Sequence, residues 1–395
     1  MNSLLFFDYN QKSSILLIFC FNAFVFSALL FMKGSSSQHQ HSKWLAAFIA
    51  LGGLYVSLFM LGYGGWYSKR VYREFMFFMP LQQLFLIGPV FFFYVKSLLR
   101  SKHAFTRKDI IHFLPAILYL IYSLIVFITD KLILDEFYFY ADGKDKDLDY
   151  WYQIAGLLSM LFYLSMSLRY YFNYRKIAVQ EVSFADEIAF TWIKHFAIAF
   201  GLILLLRVLF FILNPEWWNF GSKFWYYLCF SILLLYISIT GYTNTIKATT
   251  YSSSSGLLLV DFQSPKNAQH TVADEEPEEM SMLHEWKKKI NQLFEEEGIH
   301  EKPNLTLTDL AHHLDTNRNA ISKVINTEFD MNFNDFVNEK RAKAVIERLN
   351  QGEHHQHTLL SIALDCGFNS KTTFNRAFKK HTGITPKQYI TKNQL

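Results

Sequence analysis

Long apolar segments separated by short polar ones fill the first 245 residues of the chain. Seven of them approach the roughly 20 residues that an α-helix needs to cross a bilayer. They are residues 13–31, 44–63, 75–95, 110–128, 151–170, 195–213 and 224–242. None contains Asp or Glu in its interior. The pattern predicts a bundle of seven transmembrane helices, with a kink in the third at Pro80 or Pro89.

The polar pattern changes after the last apolar segment. Residues 245–280 combine a serine run with the acidic stretch 274–279 and predict a flexible linker. Residues 281–298 then predict an amphipathic helix with Trp286 and Ile290 on its apolar stripe. This helix is either the first of a C-terminal domain or a dimer contact. The predicted domains are residues 1–244, 245–280 and 281–395.

A helix, a turn and a second helix are predicted between residues 358 and 382. Thr358 can cap the first helix, Gly367 suits a turn with positive φ, and Asn369 or Ser370 can cap the second. The second helix, at 371–381, has an apolar face and a polar face. Its polar face consists of Lys371, Thr372, Asn375, Arg376 and Lys379. Such side chains suit phosphates and major-groove base edges, so they predict a DNA-recognition helix.

The same arrangement occurs earlier in the chain, at residues 306–326. There the polar face consists of Arg318, Asn319, Ser322, Lys323 and Asn326, each 53 positions before its counterpart. The first turn is one residue shorter. A helix over residues 334–349 is predicted between the two copies, and it could hold two recognition helices in successive major grooves.

The C-terminal quarter of the chain resembles the AraC/XylS-type DNA-binding domain. The resemblance rests on residues quoted from both copies: Leu310, Ala311, Phe333, Arg341, Ile362, Ala363, Gly367, Phe368, Phe374, Arg376–Lys380, Gly383, Thr385 and Pro386. Asp315 and Asp330 stand where the family is expected to have glycine, and Asp tolerates left-handed backbone. The resemblance implies a transcription regulator whose two recognition helices contact one promoter.

The composition of the chain indicates a polyanionic partner and gives no sign of a disulfide, a metal site or catalysis. The last 30 residues contain six Lys and Arg and no Asp or Glu, which favours a polyanion. Lys379, Lys380 and Lys387 are expected mostly to hold phosphate. The three cysteines, Cys20, Cys229 and Cys366, are far apart and predict neither a disulfide framework nor a metal site. No nucleophile or nucleotide motif is present, so we expect no enzyme, no catalytic residue and no cofactor.

Orientation follows from the predicted DNA-binding domain, which must face the cytoplasm. Seven spans then place the N-terminus outside a bacterial inner membrane. The basic loop 96–109 and the acidic loop 129–149 agree with this topology, whereas the loop 64–74 does not. Residues 171–190 are expected to form an inner loop with a basic flank.

Polar groups inside a bilayer are costly and often functional. Arg207 lies within the sixth apolar segment, and Gln82 and Gln83 lie within the third. One hypothesis is that they bind a small, anionic ligand or an envelope signal. The alternative is that Arg207 only bonds helix carbonyls or a glutamine.

Together the patterns predict an all-α protein: a seven-helix transmembrane bundle, then a cytoplasmic domain with two helix-turn-helix motifs joined by a linker helix. The predicted function is a membrane-embedded one-component transcription regulator that binds double-stranded promoter DNA. A homodimer is a reasonable hypothesis because anchoring raises local concentration. The rival hypothesis is a transporter or receptor-like membrane protein whose C-terminal domain regulates it or is released by proteolysis.

Overall fold

The computed structural model describes residues 6–35, 41–99, 105–185, 190–213, 220–255 and 277–393. Within these ranges the fold is all-helical, as predicted, and has no named β-strand. Contacts divide the chain into two compact units. The N-terminal unit is Met1–Tyr171 with Trp192–Asp261, and the C-terminal unit is Phe172–Thr191 with Phe262–Leu395.

The described residues of the N-terminal unit form mostly apolar helices. The helices are α1 (Gln11–Lys33), α2 (His41–Tyr63), α3 (Arg70–Phe78), α4 (Leu84–Leu99), α5 (Leu114–Phe127), α6 (Tyr150–Glu181), α7 (Phe190–Leu213) and α8 (Phe220–Ser255). In the described part of the chain, six helical stretches are long and apolar enough to cross a membrane. They involve α1, α2, α5 with its flanking turns, α6, α7 and α8.

The third predicted span is not one helix. It consists of α3 and α4, which are separated by residues 79–83, so Pro80 lies in a break rather than at a kink. The backbone N–H groups freed by the break find partners within the unit. The Gln82 N–H donates to Asp147 Oδ2 over 2.9 Å, and the Leu84 N–H donates to the Tyr152 hydroxyl over 3.1 Å. A carboxylate from the acidic loop therefore stabilises the unwound segment.

The prediction of an inner loop at 171–190 is wrong for its first half. Helix α6 continues through Glu181, and its last turns belong to the C-terminal unit. Helix also occupies both ends of the predicted linker, because α8 continues to Ser255 and α9 begins at Pro277. Residues 256–276 lie outside the described ranges.

Besides the last turns of α6, the described residues of the C-terminal unit contain seven α-helices. They are α9 (Pro277–Glu296), α10 (Leu307–His313), α11 (Arg318–Glu328), α12 (Phe333–Asn350), α13 (Leu359–Asp365), α14 (Lys371–Thr382) and α15 (Pro386–Asn393). The pair α10–α11 and the pair α13–α14 are the two predicted helix-turn-helix copies. Helix α9 packs into the first core through Leu283, Ile290 and Phe294, so it is the first helix of this unit.

Helix α12 supplies side chains to two separate cores. Phe333, Phe336 and Val337 from its first turns pack with α9, α10 and α11. Val345 and Leu349 from its last turns pack with α13 and α14. Each helix-turn-helix copy thus has its own hydrophobic core, and one continuous helix connects the two.

Local signals in the sequence set the helix ends as predicted. The Thr358 and Ser370 side chains accept the N–H groups of Ser361 and Thr373, which caps α13 and α14. Gly383 ends α14 in the left-handed region with φ +81°. A side chain at Gly367, where φ is +90°, would also meet the His300 carbonyl oxygen at 2.3 Å. Glycine is required there for both reasons.

The two aspartates of the first copy adopt the backbone conformation that glycine favours. Asp315 has φ +49° and Asp330 has φ +53°. Asp is one of the few residues with side chains that tolerate this region. The departures from the family pattern are therefore accommodated without a change in the fold.

Candidate nucleic-acid interface

All ten predicted DNA-contacting side chains lie outside the hydrophobic cores. Seven are exposed and three are half-buried. The exposed ones are Asn319, Lys371, Thr372, Asn375, Arg376, Lys379 and Lys380, and the half-buried ones are Arg318, Ser322 and Lys323. The opposite faces of α11 and α14 are buried, through Ile321, Val324 and Ile325 in one and Phe374, Ala377 and Phe378 in the other. The amphipathic interpretation of both helices is confirmed.

A cavity lies between α11, α12 and α14. It has a volume of about 530 Å³ and is lined by Asn326 of α11, by Lys380 and His381 of α14, and by Asn338 of α12. The end of α6 contributes Gln180 to the same lining. The two predicted recognition helices, α12 and the end of α6 thus contribute to one cavity of the C-terminal unit.

Several cations at this surface have protein partners. Lys380 Nζ lies 2.8 Å from Asp335 Oδ2 on α12, and Arg318 Nη1 lies 3.5 Å from Glu181 Oε2 on α6. Burial lowers the pKa of Arg376, and the nearby charge of Arg175 on α6 lowers it further. The polar faces are thus in contact with acidic and basic groups of the same unit.

A buried arginine organises the centre of the unit. Arg341 of α12 is 1% exposed. Its Nε donates to the His300 carbonyl oxygen over 2.8 Å, and its Nη2 donates to the Lys302 carbonyl oxygen over 2.8 Å. The same Nη2 lies 3.2 Å from the Ser183 hydroxyl, which follows α6. Arg341 contributes to the family resemblance, but no role for it is predicted from the sequence.

In the N-terminal unit, two of the three predicted ligand-binding residues share a buried hydrogen-bond network. Arg207 donates through Nη2 to Gln153 Oε1 over 2.7 Å and through Nη1 to the Tyr55 hydroxyl over 3.1 Å. Gln153 Nε2 in turn donates to Gln82 Oε1 over 2.7 Å. Gln153 therefore links Arg207 to Gln82, and its position within an apolar segment was the sequence signal that could have found it.

Gln83 lies outside this network, because its Nε2 donates to the Pro80 carbonyl oxygen over 2.6 Å. The cavity beside Arg207 has a volume of about 10 Å³, which is room for about one water molecule. The contacts of Arg207 with a glutamine and a helix carbonyl match the structural alternative. A ligand-binding role for Arg207, Gln82 and Gln83 stays a prediction.

The acidic loop ends in two buried carboxylates next to this network. Asp147 accepts the Tyr119 hydroxyl over 2.7 Å, and its carbonyl oxygen accepts Gln153 Nε2 over 2.6 Å. Burial raises the pKa of Asp147 to about 6. Burial and the charge of Asp147 raise the pKa of Asp145 well above its usual range. Two carboxylates of the acidic loop are thus buried within the N-terminal unit.

Comparison with known proteins agrees with the geometry of the C-terminal unit. A family model described as a helix-turn-helix domain matches residues 310–392. The C-terminal part of this chain is a helix-turn-helix domain of the AraC type. Helices α10 to α15 cover the matched residues.

The chain is also similar to uncharacterized HTH-type transcriptional regulators from Staphylococcus aureus strains COL, MSSA476 and N315. Each is 31% identical over 112 residues, which are 27% of this chain and 15% of the relative. The chain thus covers about 15% of the length of the curated relatives it matches. No solved structure matches the chain. The similarities support DNA binding and transcription regulation by the C-terminal domain.

Proposed function

We propose that this protein is a membrane-embedded one-component transcription regulator that binds promoter DNA sequence-specifically through two helix-turn-helix motifs. The observation that carries the proposal is the pair of recognition helices. Each has an apolar face in its own core and a basic and amide-rich face outside it. Groups of this kind are the ones that contact phosphates and base edges.

The spacing of the two motifs supports binding to one duplex. Helix α12 has 18 residues and at 1.5 Å per residue spans about 27 Å. Successive major grooves on one face of DNA are about 34 Å apart. In the proposal, one groove is read by Arg318, Asn319, Ser322 and Lys323, and the next by Lys371, Thr372, Asn375 and Arg376. Lys379 and Lys380 hold phosphate.

The six long apolar helices support anchoring in a bilayer. With the C-terminal domain in the cytoplasm, the bundle would span the bacterial inner membrane and sense a small molecule or an envelope signal. The buried polar network around Arg207 is the feature of the bundle that a signal could alter, since interior polar groups in membrane proteins often mark functional positions.

The first experiment is a genome-wide map of DNA crosslinked to the intact chain, tagged at its C-terminus. We expect a few discrete sites, each with two contacted segments about one helical turn apart. The size of the tagged protein is followed at the same time. Discrete sites with a full-length tag support tethered regulation, whereas a shorter fragment supports the rival of proteolytic release. No enrichment under any growth condition, from the membrane-located chain or from a shorter fragment, contradicts DNA-binding regulation.

A pair of substitutions one helical turn apart in α14 separates base reading from phosphate binding. We expect Arg376→Ala to relax sequence preference by about 1–3 kcal/mol at its base pair. Lys379→Ala should weaken binding to all sequences evenly and reduce the salt slope by about one. Lys379 is preferred to Lys380, because removal of Lys380 would also break its ion pair with Asp335. The same effect of both changes on every sequence would contradict this division of roles.

A further inference from the structure

The end of α6 is an integral part of the C-terminal unit. Residues 172–185, here called the α6 tail, belong to that unit although α6 begins at Tyr150 in the other. The last four residues of the tail, Val182, Ser183, Phe184 and Ala185, are all buried. A helix with an apolar first part is therefore continuous with a segment docked on the DNA-binding domain.

Specific hydrogen bonds hold the tail in place. The Ser183 N–H donates to the Leu305 carbonyl oxygen over 3.1 Å, and Val182 pairs with Thr306 in an antiparallel bridge. The Ser183 carbonyl oxygen accepts Asn334 Nδ2 over 2.7 Å. Its hydroxyl lies 3.2 Å from Arg341 Nη2. These partners are polar groups that water can also satisfy, so the docked state can open without leaving them unpaired.

The tail also reaches the polar faces of both recognition helices. Glu181 forms its ion pair with Arg318, the first residue of α11. Gln180 lines the cavity that Asn326 of α11 and Lys380 of α14 share. Arg175 is close enough to Arg376 for its charge to be felt there. A duplex cannot contact Arg318 through the position that the Glu181 carboxylate occupies.

From these contacts we propose that the α6 tail is an autoinhibitory element that competes with DNA for the recognition helices. The inference rests on the proposed DNA-binding function and adds its regulation. With the tail docked, Arg318 of α11 is paired with Glu181, and the positive charge of Arg175 lies near Arg376 of α14. A displacement of α6 along or about its axis would withdraw the tail, because the helix is continuous from Tyr150 to Glu181.

The first test releases the α6 tail from the rest of the C-terminal unit by a substitution. It uses the full chain, reconstituted in lipid nanodiscs. The probe is a fluorescent pool of random-sequence duplexes of about 40 base pairs, long enough for two successive major grooves. Val182→Asp places a charge in the buried bridge and should expel the tail. If about a tenth of the wild-type chains are open, the variant should bind about tenfold more tightly.

The matched control is Asn173→Asp, an exposed position on the same helix. Both substitutions add one negative charge, which by itself weakens binding to a polyanion. Tighter binding by Val182→Asp and not by Asn173→Asp therefore supports release of the tail. Unchanged or weaker binding by a folded Val182→Asp variant overturns the proposal.

The second test holds the α6 tail in its docked position with a disulfide. It does not require the fold to tolerate a buried charge. Residues paired across an antiparallel bridge have Cα separations of about 4.5–5.5 Å, within the range of a disulfide. Val182→Cys combined with Thr306→Cys should bind the duplex pool when reduced and lose at least about tenfold in affinity when oxidised. The two single variants control for the substitutions themselves, including loss of the Thr306 cap of α10.

The outcomes separate the two proposals. Equal binding by the oxidised and reduced double variant means that the DNA-binding function stands and that autoinhibition is wrong. If no form binds the duplex pool, including the reduced variant and Val182→Asp, the proposed function itself is overturned and the inference falls with it.

Discussion

The two units of this protein place polar and apolar side chains in opposite ways. In the N-terminal unit, Arg207, Gln82 and Gln153 are buried, while apolar side chains such as Leu118 and Leu205 are more than half exposed. In the C-terminal unit, Ile321 and Phe378 are buried, and the Lys and Arg side chains of α14 are exposed. The first arrangement suits a surrounding of lipid, and the second suits water.

One buried arginine in each unit makes the comparison sharper. Arg207 bonds to side chains and to a carbonyl oxygen of another apolar helix. Arg341 bonds mainly to carbonyl oxygens of the connection between α9 and α10. An arginine thus links helices in the N-terminal unit, whereas in the C-terminal unit an arginine donates hydrogen bonds to a segment that connects helices.

The largest effect is expected at Arg341. Arg341→Leu removes the hydrogen bonds of a buried guanidinium to the carbonyl oxygens of His300, Lys302 and Pro303 and to the Ser183 hydroxyl, and should cost roughly 3–5 kcal/mol of the free energy of unfolding of the C-terminal unit. Hydrogen exchange of the α9–α15 amides in the full chain measures this loss. Arg348→Leu on the same helix is the control, because its ion pairs are 3.7–3.8 Å long and partly exposed. It should cost less than about 1 kcal/mol, and equal losses would contradict the role given to Arg341.

A matched pair of leucines tests whether the two units face different surroundings. Leu120 in α5 is 42% exposed and Leu364 in α13 is 43% exposed. Leu120→Arg should cost about 2.5–3.5 kcal/mol of membrane insertion, because it places a charge at the centre of an apolar helix. Leu364→Arg should change stability by no more than about 0.5 kcal/mol. Carbonate extraction and thermal unfolding measure the two effects, and normal insertion of Leu120→Arg would contradict the membrane assignment.

The smallest effect is expected at Arg207. Arg207→Leu removes the hydrogen bonds between helices to Gln153 and Tyr55, so the loss should be about 1–2 kcal/mol. The thermal midpoint of the purified chain in detergent measures it, with Gln83→Leu as a control that removes a single local bond. If a compound stabilises the wild type and Arg207→Leu alike, Arg207 has no part in binding it.

Periodicity and capping chemistry were sufficient to predict the C-terminal helices. The linker helix was expected at 334–349 and forms at Phe333–Asn350, and the second recognition helix was expected at 371–381 and forms at Lys371–Thr382. Both are set by interactions within a few residues, such as the Ser370 cap and the left-handed Gly383. Placement of the polar faces follows from the same local pattern, because a helix with one apolar face can bury only that face.

Contacts between distant residues could not be predicted in this way. The break between α3 and α4 depends on Asp147, 65 positions from Gln82, and the network around Arg207 depends on Gln153. The docking of Ser183 on Arg341 joins residues 158 positions apart. In residues 277–393 the sequence by itself determined which segments are helical and which faces are polar, because those properties depend on near neighbours. Only the tertiary structure decided which polar groups meet, because burial forces each of them to find a partner wherever the fold supplies one.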